Sequence, residues 1–265
     1  MTTTSRLDLT NDEYRKISAI SNSDLSLVSK STALLEWNRN APRGASDTSN
    51  IGTATHAALL EPEEFAKDYL KMPSLDLRTK AGKADKEQFI ASSEGKIVLD
   101  AKDYDLIIGM RDSVLAHPVA NRLLTCSGSS EESIFFDLDG VKCKARADRI
   151  PDHKELGFNC IVDVKTTADI SKFGYSARDY RYHCQAAFYS LAYEKLHGVK
   201  PRFIFVVVSK GKTFGKHEVR VFELTPEDMD EGLSLVLEDL EKVKEYQDFG
   251  VGLEIETLNL PKKWK

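Results

Sequence analysis

The sequence predicts an α/β fold with a central mixed, mostly antiparallel sheet flanked by helices. Three observations point there. The periodicities run helix, three strands, helix, two strands, helix through the second half of the chain. The stretch SIFFDL-DG-VKCKARADRI, residues 133 to 150, is two alternating runs around Asp139-Gly140, a hairpin signal. The stretch CIVDVKTT, residues 160 to 167, puts Cys160, Val162 and Val164 on one strand face and Ile161, Asp163 and Lys165 on the other. With 265 residues, 41% of them apolar and 30% charged, a sizeable core is affordable. One domain over 1–265 is expected, with the first 20 residues as a candidate flexible extension.

The elements follow in order. Residues 22 to 39 read as one or two short helices with Ser23 as N-cap, and 41 to 50 as a loop. A helix starts near 51 and is disturbed near Pro62. Arg78, Lys80, Lys83 and Lys86 mark an exposed basic loop running into a helix that ends near Gly95. Residues 101 to 124 form another helix, broken at Pro118. After the hairpin, a turn-rich segment at 151 to 159 leads into the 160 to 167 strand. A helix over 176 to 197 is capped by Gly198, and strands follow at 202 to 210 and 217 to 224. In the final helix Met229, Leu233, Val236, Leu237, Leu240 and Val243 keep helical period.

Composition excludes some classes of function. No run of 18 apolar residues offers a membrane span. The first residues lack the apolar stretch of a secretory signal, so a cytoplasmic location is the default. Cys126, Cys143, Cys160 and Cys184 include no CxxC pair, which argues against a zinc knuckle or an iron–sulfur site and for reduced, packed thiols. The net charge of −5 argues against a simple nucleic-acid binder. However, residues 225 to 248 hold nine acids against two bases, leaving the rest slightly basic and a local basic groove available.

Chemistry concentrates on the central strands. Asp163 and Lys165 share a strand face, roughly 7 Å apart at their α-carbons. Asp148 shares a face with Lys142, Lys144 and Arg146, opposite Val141, Cys143, Ala145 and Ala147. If the two strands pair through the 151–159 turn, Asp148 and Asp163 meet at neighbouring strand ends. Converging carboxylates repel unless a proton or cation lies between them, and oxygen ligands suit a hard divalent cation. Lys165 then stands beside that cation, where it can orient water or steady negative charge, as phosphodiester hydrolysis requires. An ordinary salt bridge at a sheet edge would leave the same short pattern.

The segments KARADRI, IVDVKTTADI and YRYHCQAAFYSLAY resemble the PD-(D/E)xK nuclease superfamily, and within it the RecE-type exonucleases (exonuclease VIII). The likeness extends to IGTATHAALLEPEEF and to LPKKW near the C-terminus, from about Ile20 to Trp264. His56, Asp148, Asp163, Lys165 and the QxxxY pair Gln185/Tyr189 complete a signature shared with RecB-like nucleases. The resemblance implies a restriction-endonuclease-like core. It makes Asp148, Asp163, His56 and Lys165 catalytic, with metal held by His56, Asp148, Asp163 and the Val164 carbonyl. Asp148 is preceded by Ala147 rather than the proline of the family name, and that proline supplies no ligand.

Around this set, Gln185 and Tyr189 lie i and i+4 on one helix face. Arg181, one turn back, is a candidate phosphate contact. Thr166 and Thr167 either bind phosphate or finish the strand. Glu131 or Glu132 is a candidate further acid, with no choice between them. By resemblance the protein takes Mg²⁺, with Mn²⁺ as substitute, and degrades one strand of duplex DNA from an end, 5′ to 3′. It leaves 3′ tails for recombination with a RecT-type annealing protein, in a phage-derived setting. A homo-oligomeric ring, a tetramer by analogy, is expected, with residues 142 to 146 and the Arg78–Lys86 segment facing its channel. Two alternatives stand beside this: a nuclease of the same fold for single-stranded or flap DNA, and a DNA-binding module without activity.

Overall fold

A computed structural model of the protein describes residues 3–41 and 51–252. In chain order the described elements are β1 (Thr4–Arg6), α1 (Asn11–Lys16), α2 (Asn22–Val28), α3 (Thr32–Asn40), α4 (Ile51–Leu60), α5 (Pro62–Asp68), β2 (Tyr69–Lys71), α6 (Lys80–Ser92), β3 (Ile97–Leu99), α7 (Ala101–Ala116) and α8 (Pro118–Thr125). There follow β4 (Gly128–Leu138), β5 (Val141–Pro151), α9 (His153–Leu156), β6 (Cys160–Thr167), α10 (Phe173–Asp179), α11 (Tyr182–His197), β7 (Arg202–Thr213), β8 (Lys216–Glu223) and α12 (Pro226–Phe249). Most of the expected loop at 41–50 and the LPKKW segment lie outside the described residues.

Six strands form one sheet in the order β1-β4-β5-β6-β7-β8. β6 and β7 run parallel and the other neighbours antiparallel, so the sheet is mixed and mostly antiparallel. Asp139 and Gly140 turn β4 into β5 with φ of 51° and 85°, the doubly left-handed geometry for which an Asp-Gly pair is suited. In β6 and β7 both faces are buried. Ile161 packs with Phe203, Phe205 and Val207 and with α11 and α12 residues such as Phe188 and Leu240. Cys160, Val162 and Val164 pack with Ile204, Val206 and Val208 and with Ile107, Met110 and Val114 of α7. All four cysteines are free and buried.

Four sequence expectations need correction. The first 20 residues are not simply an extension: Thr4–Arg6 pairs with β4, and Thr10 with Glu13 forms a capping box that starts α1. The N-cap of α2 lies two positions earlier than expected, at Ser21 rather than Ser23, in a second capping box with Asp24. Lys80, Lys83 and Lys86 lie on α6, capped by Thr79, rather than in a loop. The helix expected over 176–197 is two helices, because Arg181 between α10 and α11 has a φ of 57°, a conformation that breaks the helical path. The parallel pair β2–β3 was not legible: each strand is three residues long, too short for an alternation pattern to show.

Candidate active site

Strand register assembles three carboxylates in a row. Ser130↔Arg149 and Glu132↔Ala147 are partners in β4 and β5, so Glu131 stands opposite Asp148. Arg149↔Val162 pairs β5 with β6, and one residue further along Asp148 faces Asp163. The Val164 N–H finds its acceptor in the Asp148 carboxylate, Oδ2, at 2.8 Å. In a strand the C=O of a residue leaves on the same side as its N–H, so the Val164 carbonyl also faces the row. Glu131 has a φ of 53°. A non-glycine residue in that region is strained, and such strain gathers at functional sites.

Other elements bring partners to the row. α4 delivers His56, whose Nδ1 lies 3.4 Å from Asp148 Oδ2. α11 delivers Gln185, whose Nε2 donates to Asp163 Oδ1 at 2.8 Å. Lys165 Nζ sits 2.6 Å from the other oxygen of Asp163. Asp163 is 1% exposed, so both of its oxygens are held by protein groups. Tyr189, one turn beyond Gln185, packs its ring against Phe203.

The electrostatics follow from crowding. Burial pushes the Glu131 carboxyl up to about 8, helped by the charges of Asp148 and Glu61 and opposed by Arg146. Burial also raises Asp163; Lys165 pulls it back and Asp148 pushes it further. For Lys165 burial alone would lower the proton affinity, yet Asp163 and Asp148 outweigh it and leave it raised. Lys165 is therefore a held ammonium, and Glu131 is the carboxyl of the row that retains its proton.

His56, Glu131 and Asp148 each offer one ligand atom, and these atoms lie within 4.8 Å of one another. Oxygen ligands of Mg²⁺ stand about 2.1 Å from the ion, hence at most about 4.2 Å apart. Neighbouring ligands of an octahedral ion stand closer, about 3.0 Å apart, so the three groups would draw in on binding; one imidazole and two carboxylates suit a divalent cation. Between the two glutamates left open by the sequence, Glu131 joins the site. Glu132 is 9% exposed and accepts from Ser129 Oγ at 2.5 Å. Asp163 stands beside the three rather than among them.

Some expected groups lie elsewhere. Arg181 is not on the Gln185/Tyr189 face: the turn at this residue sends its guanidinium to Asp239 of α12, and it is no open phosphate contact. Arg178 is likewise engaged, with Asp228 and Glu231, so part of the acidic face of α12 is an ion-pairing surface. Thr166 is half-buried near the end of β6, and Thr167 donates to the Asp169 carbonyl at 3.2 Å, which finishes the strand. Lys144 and Arg146 do not form an open basic face. Lys144 Nζ donates to the carbonyls of Tyr14 and Ile17, both at 2.8 Å. Arg146 donates to Ser133, Asn11 and the Leu9 carbonyl. The N-terminal segment covers these two cations, with the carbonyls of Leu9, Tyr14 and Ile17 accepting from them.

No curated protein is significantly similar to the chain in sequence. A crystal structure of a protein from Eubacterium rectale, described as "Putative exonuclease", superposes with a TM-score of 0.58 at 17% identity, over 97% of each chain. That likeness shows the fold. A family model described as "PDDEXK-like domain of unknown function" matches residues 21–250. The fold, the D…DxK strands and this match agree, and the chain belongs to that family of PDDEXK-like, nuclease-type domains.

Proposed function

We propose that the protein is a Mg²⁺-dependent exodeoxyribonuclease, with Mn²⁺ as a working substitute, that degrades one strand of duplex DNA from an end. The observation that carries this reading is the convergence of Glu131, Asp148 and Asp163 in one cross-strand row with His56 and Lys165. A bound divalent cation would supply acidity to a water and counter-charge to the phosphate. His56, Glu131 and Asp148 would hold it, with Asp163 and the Val164 carbonyl facing the same space. Lys165 keeps its proton, so its ammonium can orient the attacking water and stabilise charge growing on the phosphate oxygens. Gln185 fixes the carboxylate of Asp163, and through it the position of Lys165.

Action from ends is supported by the description of the Eubacterium rectale neighbour and by the resemblance of the motifs to RecE-type exonucleases. The same resemblance supports 5′ to 3′ polarity, 3′ single-stranded tails for strand annealing, a RecT-type partner, a cytoplasmic setting and a ring of copies. With Lys144 and Arg146 covered, the cations left for a ring channel are Lys142 and the exposed Arg78, Lys80 and Lys83. The test is a blunt duplex labelled at either the 5′ or the 3′ end, incubated with Mg²⁺. Early release of the 5′ label with gradual shortening of 3′-labelled strands is expected. Early release of the 3′ label reverses the polarity, and faster cutting of single strands or flaps favours that substrate class instead.

A further inference from the structure

Aromatic rings continue the site outward. Lys165 Nζ lies 4.7 Å from the centre of the Tyr182 ring. Tyr182 stacks on Tyr180, with centroids 5.8 Å apart and planes inclined by 28°. Behind them Phe173 meets Tyr182 at 5.9 Å and stacks on Phe222 at 5.6 Å, so the stack has a buried foundation. Its outer end is in water: Tyr180 is 68% exposed. The backbone between the two tyrosines is the left-handed turn at Arg181, whose side chain is tied to Asp239. This anchor fixes the spacing of the two rings.

An aromatic ring held in place by a stack, with its outer face unused, is a surface for another flat group. It is one of a file of rings leading to the lysine of the site, rather than part of a broad apolar patch of the kind that binds proteins. We propose that Tyr180 is a stacking platform for an unpaired base of the strand being cut. The centre would then take DNA ends whose terminal bases have separated from the partner strand. The inference rests on the nuclease reading and adds the form of the substrate. Bases inside a duplex are covered on both faces by their neighbours, whereas a freed base has a face to offer. A tyrosine accepts that face whatever the base, which suits an enzyme that consumes any sequence.

The experiment is fluorescence anisotropy with Ca²⁺ in place of Mg²⁺, using a short single-stranded oligodeoxynucleotide and an abasic strand of equal length. The wild type is expected to prefer the strand with bases by about tenfold, the effect of one stacked base. Tyr180→Phe should keep the preference and Tyr180→Ala should abolish it. Tyr175→Ala, which removes a ring 78% exposed on the preceding helix α10 but outside the stack, should also keep it. A preference that survives in Tyr180→Ala, or is absent from a wild type that cleaves DNA, overturns the inference and leaves the nuclease reading standing. A wild type that binds neither strand and releases no nucleotides in Mg²⁺ overturns both. A lower native mass for Tyr180→Ala with unchanged discrimination assigns the ring to a contact between copies and also overturns the inference.

Discussion

A carboxyl that holds its proton to about pH 8 makes the metal-free protein sensitive to alkali. An unfolded chain releases the Glu131 proton near 4.5 and the folded chain near 8, so the fold binds the proton more tightly. That contribution to stability is complete below the unfolded value and is lost as pH rises through the folded one. The metal-free melting temperature is therefore expected to fall between about pH 5 and 8, and added Mg²⁺ to recover the loss. A metal-free melting temperature that stays flat or rises over this window contradicts the crowded-carboxylate account. Gln185 carries a second expectation, since its amide holds Asp163 at 2.8 Å. Gln185→Ala should lower kcat about 10- to 100-fold, as loss of an outer-shell partner does, with KM nearly unchanged and a lower melting temperature, because the buried Asp163 carboxylate loses a donor. Equal loss in KM alone would make Gln185 a substrate contact instead. Of these residues, His56 was expected only from the family resemblance, while the placement of Asp163 and Lys165 on one strand face, with Asp148 at the neighbouring strand end, was legible from alternation. The choice of Glu131 over Glu132 was not, because adjacent strand residues alternate faces and only the pairing register says which one meets Asp148.

At the scale of elements, the helices on either side of the sheet decide how closely the site is held. Gly232 of α12 lies against α11: a Cβ there would come within 2.3 Å of the His183 carbonyl oxygen. Gly232→Ala must therefore push α12 off α11, and overpacking of this kind costs about 1 to 3 kcal/mol. A drop in melting temperature is expected, with activity per folded molecule retained if α11 keeps its place; an unchanged melting temperature would contradict the close approach. The β4–β5 hairpin, β6, β7, β8 and α12 were all legible, since alternation or helical period runs through each. The break at Arg181 was not. Its neighbours read as one continuous helix, and a non-glycine residue with φ of 57° has no local sequence signature. That break is also why Arg181, placed by helical periodicity on the Gln185 face, turns instead to Asp239. Lys144 and Arg146 were misplaced for a related reason: alternation put them on a polar face, and only the tertiary path of residues 9–17 covers that face.

At the scale of the whole molecule, the acids and bases are segregated rather than balanced. The acidic α12 takes up Arg178 and Arg181, while Arg78, Lys80 and Lys83 remain exposed at another part of the surface. A ring of copies with the basic segments inward predicts a native mass several times 29.7 kDa in light scattering. A monomer at working concentrations would remove the ring and leave the chemistry of the site untouched. The proposal that the Glu131–Asp148–Asp163 row, His56 and Lys165 form a metal-dependent nuclease centre has its most direct test in release of nucleotides from duplex DNA. Wild type in Mg²⁺, wild type in excess EDTA and folded Lys165→Ala in Mg²⁺ are compared. Removing Lys165 leaves a buried carboxylate without its cation, so Lys165→Ala is assayed at low temperature, where the folded fraction is measured alongside. The account predicts release by the wild type in Mg²⁺, none in EDTA, and a loss of about a hundred- to a thousandfold per folded molecule in Lys165→Ala, the effect typical of one preorganised charge contact. Full activity in EDTA, or wild-type activity per folded molecule in Lys165→Ala, would contradict it.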